Sequence, residues 1–173
     1  DELIHSVVTG KPVGKYIVQA RDEWMAVTGG RLAKIADTFL LAGGQRFDGR
    51  YNPHGPDHGP GFTQQYTNEI RKFLIEYDQD VPLVKNYSAI KDTVNLHRRD
   101  YNLVPQVFKN DESGYTMFSG VFQYKEDIPF TNFVDINGGS YTVNNSFIQK
   151  YSHYHNAVLP LYDNTTGTMF SIF

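Results

Sequence analysis

The chain has 173 residues, a formal net charge of −3 and no cysteine. The length suits one domain with a real core. The charge leaves no basic footprint for nucleic acid, and the missing thiols exclude a disulfide framework, a cysteine nucleophile and a Cys-based zinc site. Twelve Phe, twelve Tyr and fifteen Gly make a β-rich composition, because aromatic residues fit pleated, half-buried surfaces and Gly serves turns.

In chain order, residues 1–20 read as a lead-in strand or tail. The opening "DELIHSVVTG" lacks the basic start and apolar stretch of a signal peptide, so export would place the signal upstream. No run reaches the roughly 18 apolar residues of a membrane span. "WMAVTG" (24–29) and "TFLLAGG" (38–44) are expected as a first strand pair around the turn "GRLAKIAD". A long loop of Gly, Pro, His and Asp fills 45–66. Residues 63–77 fit a helical spacing at Tyr66, Ile70, Phe73, Leu74 and Tyr77, but their surroundings are all strand, so "NEIRKFLIEY" (68–77) is taken as a strand. Further strands are expected at 84–91, 101–108, 114–122, 131–136, 141–144, 155–163 and 167–173.

Three stretches repeat: "AVTGGRLAKIADTFLLAGG", "NLVPQVFKNDESGYTMFSGV" and "NAVLPLYDNTTGTMFSIF". Each has an apolar strand, a polar turn and a second apolar strand, and they align with Phe39, Phe118 and Phe170 in register. The unequal spacing is explained if 45–66 is an insertion in the first unit. Units of ~40–50 residues with four short strands are the signature of a β-propeller blade, whose two apolar faces are buried by stacking on its neighbours.

The residues carrying this pattern resemble the kelch repeat. That pattern has an apolar strand ending in Gly-Gly, a later Tyr, and an Asn-x-apolar strand. Here "TFLLAGG" ends in Gly43-Gly44, and "MFSGV" places Ser119-Gly120 in the same role. "YTNEIRKFLIEYD" resembles the third strand and "VKNYSAI" the fourth. The string "GGQ-F-GRYNP" is similar to one in bacterial secreted kelch-type proteins. The resemblance covers about 20–173. It implies an all-β fold of two to three four-stranded antiparallel blades, part of a larger propeller. The expected units are 21–92 with the long 45–66 loop, 93–148, and an incomplete 149–173. It departs in one place: the usual blade-closing Trp is missing, and Trp24 lies elsewhere.

The candidate sites divide between scaffold and contact. Gly29-Gly30 and Gly43-Gly44 lack the spacing of a dinucleotide or P-loop fingerprint and are read as close-approach glycines. His54 and His58 are four apart, but Pro56 between them removes any helical geometry. Asp48 and Asp57 do not make a calcium-loop spacing. His153 and His155 could share one strand face, with no third metal ligand in view. Arg98-Arg99-Asp100 is read as structural, with arginines on Asp100 or on a neighbour's backbone. Asn86, Asn144 and Asn164 head glycosylation tripeptides, which are common by chance. No aspartate box supports a sialidase, and a Cys–Tyr copper-radical site is impossible without Cys. No residue is assigned a catalytic role, and no metal or cofactor is expected.

The sequence therefore points to a non-catalytic binding or scaffold module of an exported bacterial kelch-type protein, secreted or in the cell envelope. Its partner would be a protein or a glycan, with no nucleic acid and no membrane span. Contacts are expected through the 45–66 loop and the channel mouth, at Phe47, Arg50, Tyr51, His54 and His58. The alternative is a glycosidase-like enzyme on the same scaffold, which needs two carboxyl groups ~5–10 Å apart over an open pocket.

Overall fold

A computed structural model describes residues 1–51 and 61–173. It is mostly β, with one short helix, α1 (Glu2–Val8), and twelve strands. The first four-stranded sheet contains β1 (Arg31–Ile35), β2 (Thr38–Ala42), β5 (Glu69–Asp78) and β6 (Val81–Lys91), in the order β1-β2-β5-β6. A hairpin of β3 (Gln45–Gly49) and β4 (Phe62–Tyr66) is inserted between β2 and β5. The second sheet is an antiparallel meander of β7 (Asn102–Val107), β8 (Ser113–Phe118), β9 (Phe133–Asn137) and β10 (Ser140–Asn144). A last hairpin pairs β11 (Leu159–Asp163) with β12 (Thr168–Ile172).

The first strand pair differs from the sequence expectation. The stretch 24–29 is not a strand. Asp22 Oδ1 accepts from the Trp24 N–H at 2.8 Å and caps a single 3₁₀ turn, Glu23–Met25. The segment taken as a turn supplies β1, which reaches β2 through the two residues Ala36 and Asp37. Ala36 adopts φ 49°, the left-handed conformation that so short a hairpin needs. Residues 2–8 form a helix, not a lead-in strand. Over 63–77 the strand reading holds: β4 and β5 meet at Thr67-Asn68, with Asn68 at φ 56°. The 45–66 insertion is itself a β-hairpin at its described base.

The two four-stranded sheets share one core of Ala33, Leu40, Ala42, Ile70, Leu96, Tyr101, Met117, Val134 and Ile136. Fully burying a Leu, Ile or Met side chain stabilises by ~1.5–3 kcal/mol relative to leaving it in water. β8 buries consecutive residues, Thr116 and Met117: sheet one covers one side of it, and Phe173, at the end of β12, packs on Phe118 from the other. A strand covered on both faces loses the in–out alternation of a half-solvated one. Polar ties fix the stacking. Lys72 Nζ donates to Gly139 O at 2.6 Å, and Tyr141 Oη donates to Asp92 at 2.9 Å. Desolvation works to raise the Asp92 pKa, but hydrogen bonds from Asn95, Val94 and Tyr141 outweigh it and hold the carboxyl below its ordinary value. Among the described residues no helix is long and apolar enough to cross a membrane.

The repeat is visible in the backbone, in a register the phenylalanines do not give. Gly43 and Gly44 have φ of 53° and 80°, and Ser119 and Gly120 have 61° and 102°. Bridges one strand-start upstream agree: Thr28 pairs with Gln45, and Arg99 with Val121. Ser119-Gly120 therefore stands where the first unit has its glycine pair, and Phe39 aligns with Tyr115 instead of Phe118. Gly29 and Asp100, each two residues before β1 and β7, adopt φ of 67° and 56°, and His155, four residues before β11, adopts 48°. Only the first is a glycine. Asp tolerates this conformation through its short polar side chain, and His is also enriched there.

Candidate functional site

The strands β1, β7 and β11 begin at one end of the fold, here called the upper end. β7 packs against both β1 and β11, and a cleft of about 330 Å³ lies between them, lined by Arg31, Leu32, Asn102, Val104, Val158 and Pro160. β2 ends and β5 begins at this same end, since Ala42 pairs with both Arg31 and Ile70. The β3–β4 hairpin therefore starts from this end. It is anchored by the backbone: Gly44 N donates to Arg98 O at 2.8 Å, and Thr28 and Gln45 exchange bonds at 2.8 and 2.9 Å.

On the hairpin, Phe47 stacks on Phe62 with centroids 4.9 Å apart, and Tyr51 leans on Phe62 at 5.5 Å. Tyr51 is 68% exposed. Arg50 is also exposed, with its backbone N–H bonded to Gly61 O at 2.6 Å. The structure thus places Phe47, Arg50 and Tyr51 on one hairpin arm. His54 and His58 lie outside the described residues.

Between the hairpin and sheet one runs a polar groove of about 640 Å³, lined among others by Glu23, Trp24, Arg46, Tyr66, Lys91 and His97. Arg46 donates to Asp48 at 2.7 Å and to Glu23 at 2.8 Å, and these bonds raise its pKa above the ordinary guanidinium value. Arg71 donates to Glu69 at 2.8 Å and to Trp24 O at 2.5 Å, and its guanidinium lies 5.2 Å from the Trp24 ring centroid. Tyr87 packs edge-on against Trp24 and donates to Asp22. Desolvation, then that bond, pushes the Tyr87 phenol up to about 12.

Tyr66 and His97 stack at 3.8 Å. His97 Nδ1 lies 2.7 Å from Asn68 Oδ1, so the neutral ring carries its proton on Nδ1. Burial lowers the His97 pKa. The unfolded chain then binds more protons near the ordinary imidazole value, and stability falls as pH drops through about 6.5 and below. The urea midpoint should decline over that window, and the decline should be shallower in His97→Phe, which keeps the stack and removes the titrating group. Equal slopes in the two proteins would remove His97 from this linkage.

A second network lies at the cleft mouth. Arg99 donates to Tyr66 Oη at 3.0 Å and to Asp100 at 2.8 Å, and Asp100 lies 3.0 Å from His155 Nε2. His155 Nδ1 in turn accepts from Arg31 at 2.8 Å. Residues from all three units meet here. Arg98 turns the other way and is buried on the carbonyls of Asn95 and Ser119 and on Asn132, all within its own unit instead of a neighbour's backbone, while Arg99 does bond Asp100. His153 stacks on Phe173 and bonds to Asn156. It does not share a partner with His155, because neither residue lies in a strand. Tyr66, His97 and the Arg31–His155 link were not found from sequence. The one local signal was the matching place of Gly29 and Asp100, each two residues before its strand.

No family model, curated protein or solved structure matches this chain.

Proposed function

We infer that the chain is a segment of a kelch-type β-propeller, from an exported bacterial protein, that works as a non-catalytic binding module for a protein or glycan. The stacking of successive antiparallel sheets, with their first strands converging on a cleft, supports the propeller reading. The observation that carries the binding reading is the β3–β4 hairpin. It stands outside the four-stranded sheet, starts from the cleft end, and groups Phe47, Tyr51 and Phe62, with the exposed Arg50 next in the chain to Tyr51. Aromatic and Arg side chains anchor interfaces well. A glycosidase would need carboxyl groups facing an open pocket. In the groove, Glu23 and Glu69 are each bonded to an arginine instead.

The test is a glycan and peptide array probed with the 173-residue chain and with the double variant Arg50→Ala, Tyr51→Ala. Both side chains are exposed, so Tm should not move. Binding to the probes captured by the parent chain should weaken about tenfold or more. A parent chain that captures nothing, or an array pattern unchanged in the variant, would sink the proposal.

A further inference from the structure

β4 pairs with β3 on one side and, among the described residues, with nothing on the other. It lies between β3 and β5 in the chain, so this open edge belongs to the inserted hairpin and not to the strand order of a four-stranded sheet. The ladder decides which backbone groups face out. Arg50 N–H donates to Gly61 O at 2.6 Å, and Thr67 N–H donates to Gly44 O at 3.0 Å. Both pairs continue the register in which Arg46 faces Gln65 and Asp48 faces Thr63. Hydrogen-bonded pairs alternate along an antiparallel ladder. Thr63 and Gln65 therefore bond inward to β3, and Phe62, Gln64 and Tyr66 turn their N–H and C=O groups outward. Gln45 agrees, since it lies opposite Tyr66 and exchanges its bonds with Thr28 instead. Among the described residues no backbone hydrogen bond reaches the outward groups of β4.

The open edge runs along the polar groove. Gln64 and Gln65 point to opposite faces of the hairpin, and both line the groove, so it follows the edge itself. Trp24, Tyr66 and His97 give it ring surfaces. Arg46 is bonded to Glu23 and Arg71 to Glu69. Lys91 also lines the groove, is exposed, and makes no ion pair among the described residues. β4, "FTQQY", has no charge, Pro or Gly, the devices that deter edge pairing. β10 shares that composition, so composition does not choose between them; the ring-lined groove beside β4 does.

We propose that an extended segment of a partner protein adds to the free edge of β4, with an acidic side chain against Lys91. Its backbone bonds to the outward groups of Phe62, Gln64 and Tyr66. Its alternate side chains enter the groove over Trp24 and the Tyr66–His97 stack. This rests on the binding reading and narrows the partner from a protein or glycan to an extended acidic peptide.

The test is an array of peptides about nine residues long, in which Val, Thr and Tyr alternate with Ser and the centre is Glu or Lys, printed beside neutral glycans. The 173-residue chain should capture the Glu peptides about tenfold more tightly than their Lys counterparts. Gln64→Pro removes one outward N–H and no bond to β3, the one edge position where a strand tolerates proline. It should weaken peptide capture about tenfold or more, with Tm unchanged. A second measurement leaves the protein intact: methylating every second backbone nitrogen of a captured peptide should abolish capture in one phase and spare it in the other, because only alternate groups face β4. Capture of glycans alone overturns this proposal and leaves the binding reading standing, whereas capture of nothing sinks both. Equal binding of Glu and Lys peptides also overturns it. So does a folded Gln64→Pro chain that binds as well as the parent, or capture indifferent to the phase of methylation.

Discussion

Arg98→Ala is expected to lower the unfolding free energy by about 3–5 kcal/mol, the largest effect of any single substitution in this chain. Arg98 is fully buried. Its Nε donates to Asn95 O at 2.8 Å, one terminal nitrogen to Ser119 O at 2.9 Å, and the other to Asn132 Oδ1 at 3.0 Å. The guanidinium lies 3.9 Å from the Phe130 centroid. Burial without a carboxylate partner lowers its pKa to about 9, so it remains charged at neutral pH and depends on these acceptors and the ring face. Alanine would strand the carbonyls in a cavity, and unpaired buried acceptors cost about 1–3 kcal/mol each. Arg98→Lys should recover less than half of the loss, because an ammonium cannot span the same fork of acceptors. For a domain of this size 1 kcal/mol corresponds to roughly 2–4 °C, so Arg98→Ala should lower Tm by roughly 6–20 °C. A Tm within about 3 °C of the parent would show that the buried Arg98 network does not carry that much of the stability.

The next largest effect is expected at Gly43. Its φ is 53°, and an added Cβ would lie 2.6 Å from Arg98 O and 3.1 Å from Tyr101 Cε1. Both neighbours are fixed: Tyr101 is fully buried and donates to Ala42 O at 2.5 Å. Gly43→Ala should therefore cost about 2–4 kcal/mol through backbone strain and overpacking. The equivalent site of the second unit gives the control. Ser119 holds φ 61°, and its buried hydroxyl has no hydrogen-bond partner among the described residues. Ser119→Gly removes both penalties and should stabilise by about 0.5–1 kcal/mol. Urea midpoints of the two variants should move in opposite directions. A shift of the same sign would break the structural equivalence of the two positions.

That equivalence shows how far the repeat was legible. The Gly43-Gly44 and Ser119-Gly120 pairs mark one backbone feature, and glycine is the residue such a feature selects. The alignment of Phe39 with Phe118 was misleading: it lies three residues out of the paired register, an odd slip that sets residues of opposite strand faces against each other, and residue identity alone did not reveal it. Only the pairing of Arg31 with Ala42 and of Asn102 with Phe118 removes that ambiguity. The first strand was missed for a similar reason. "RLAKI" mixes charged and apolar residues and sits between glycine and an Ala-Asp turn, so it reads as a connector until β2 lies beside it.

By itself, the sequence determined the β-rich class, most of the strands from β5 onward, the shared position of Gly43-Gly44 and Ser119-Gly120, and an insertion after β2. These follow from local chemistry, since aromatic and branched residues fill pleated faces while Gly, Asn and Asp permit tight turns. The tertiary structure alone decided which polar residues meet. Arg31, Tyr66, Arg99, Asp100 and His155 come from distant parts of the chain. They converge because sheet stacking brings the starts of β1, β7 and β11 to one end, and no local propensity encodes which units become neighbours.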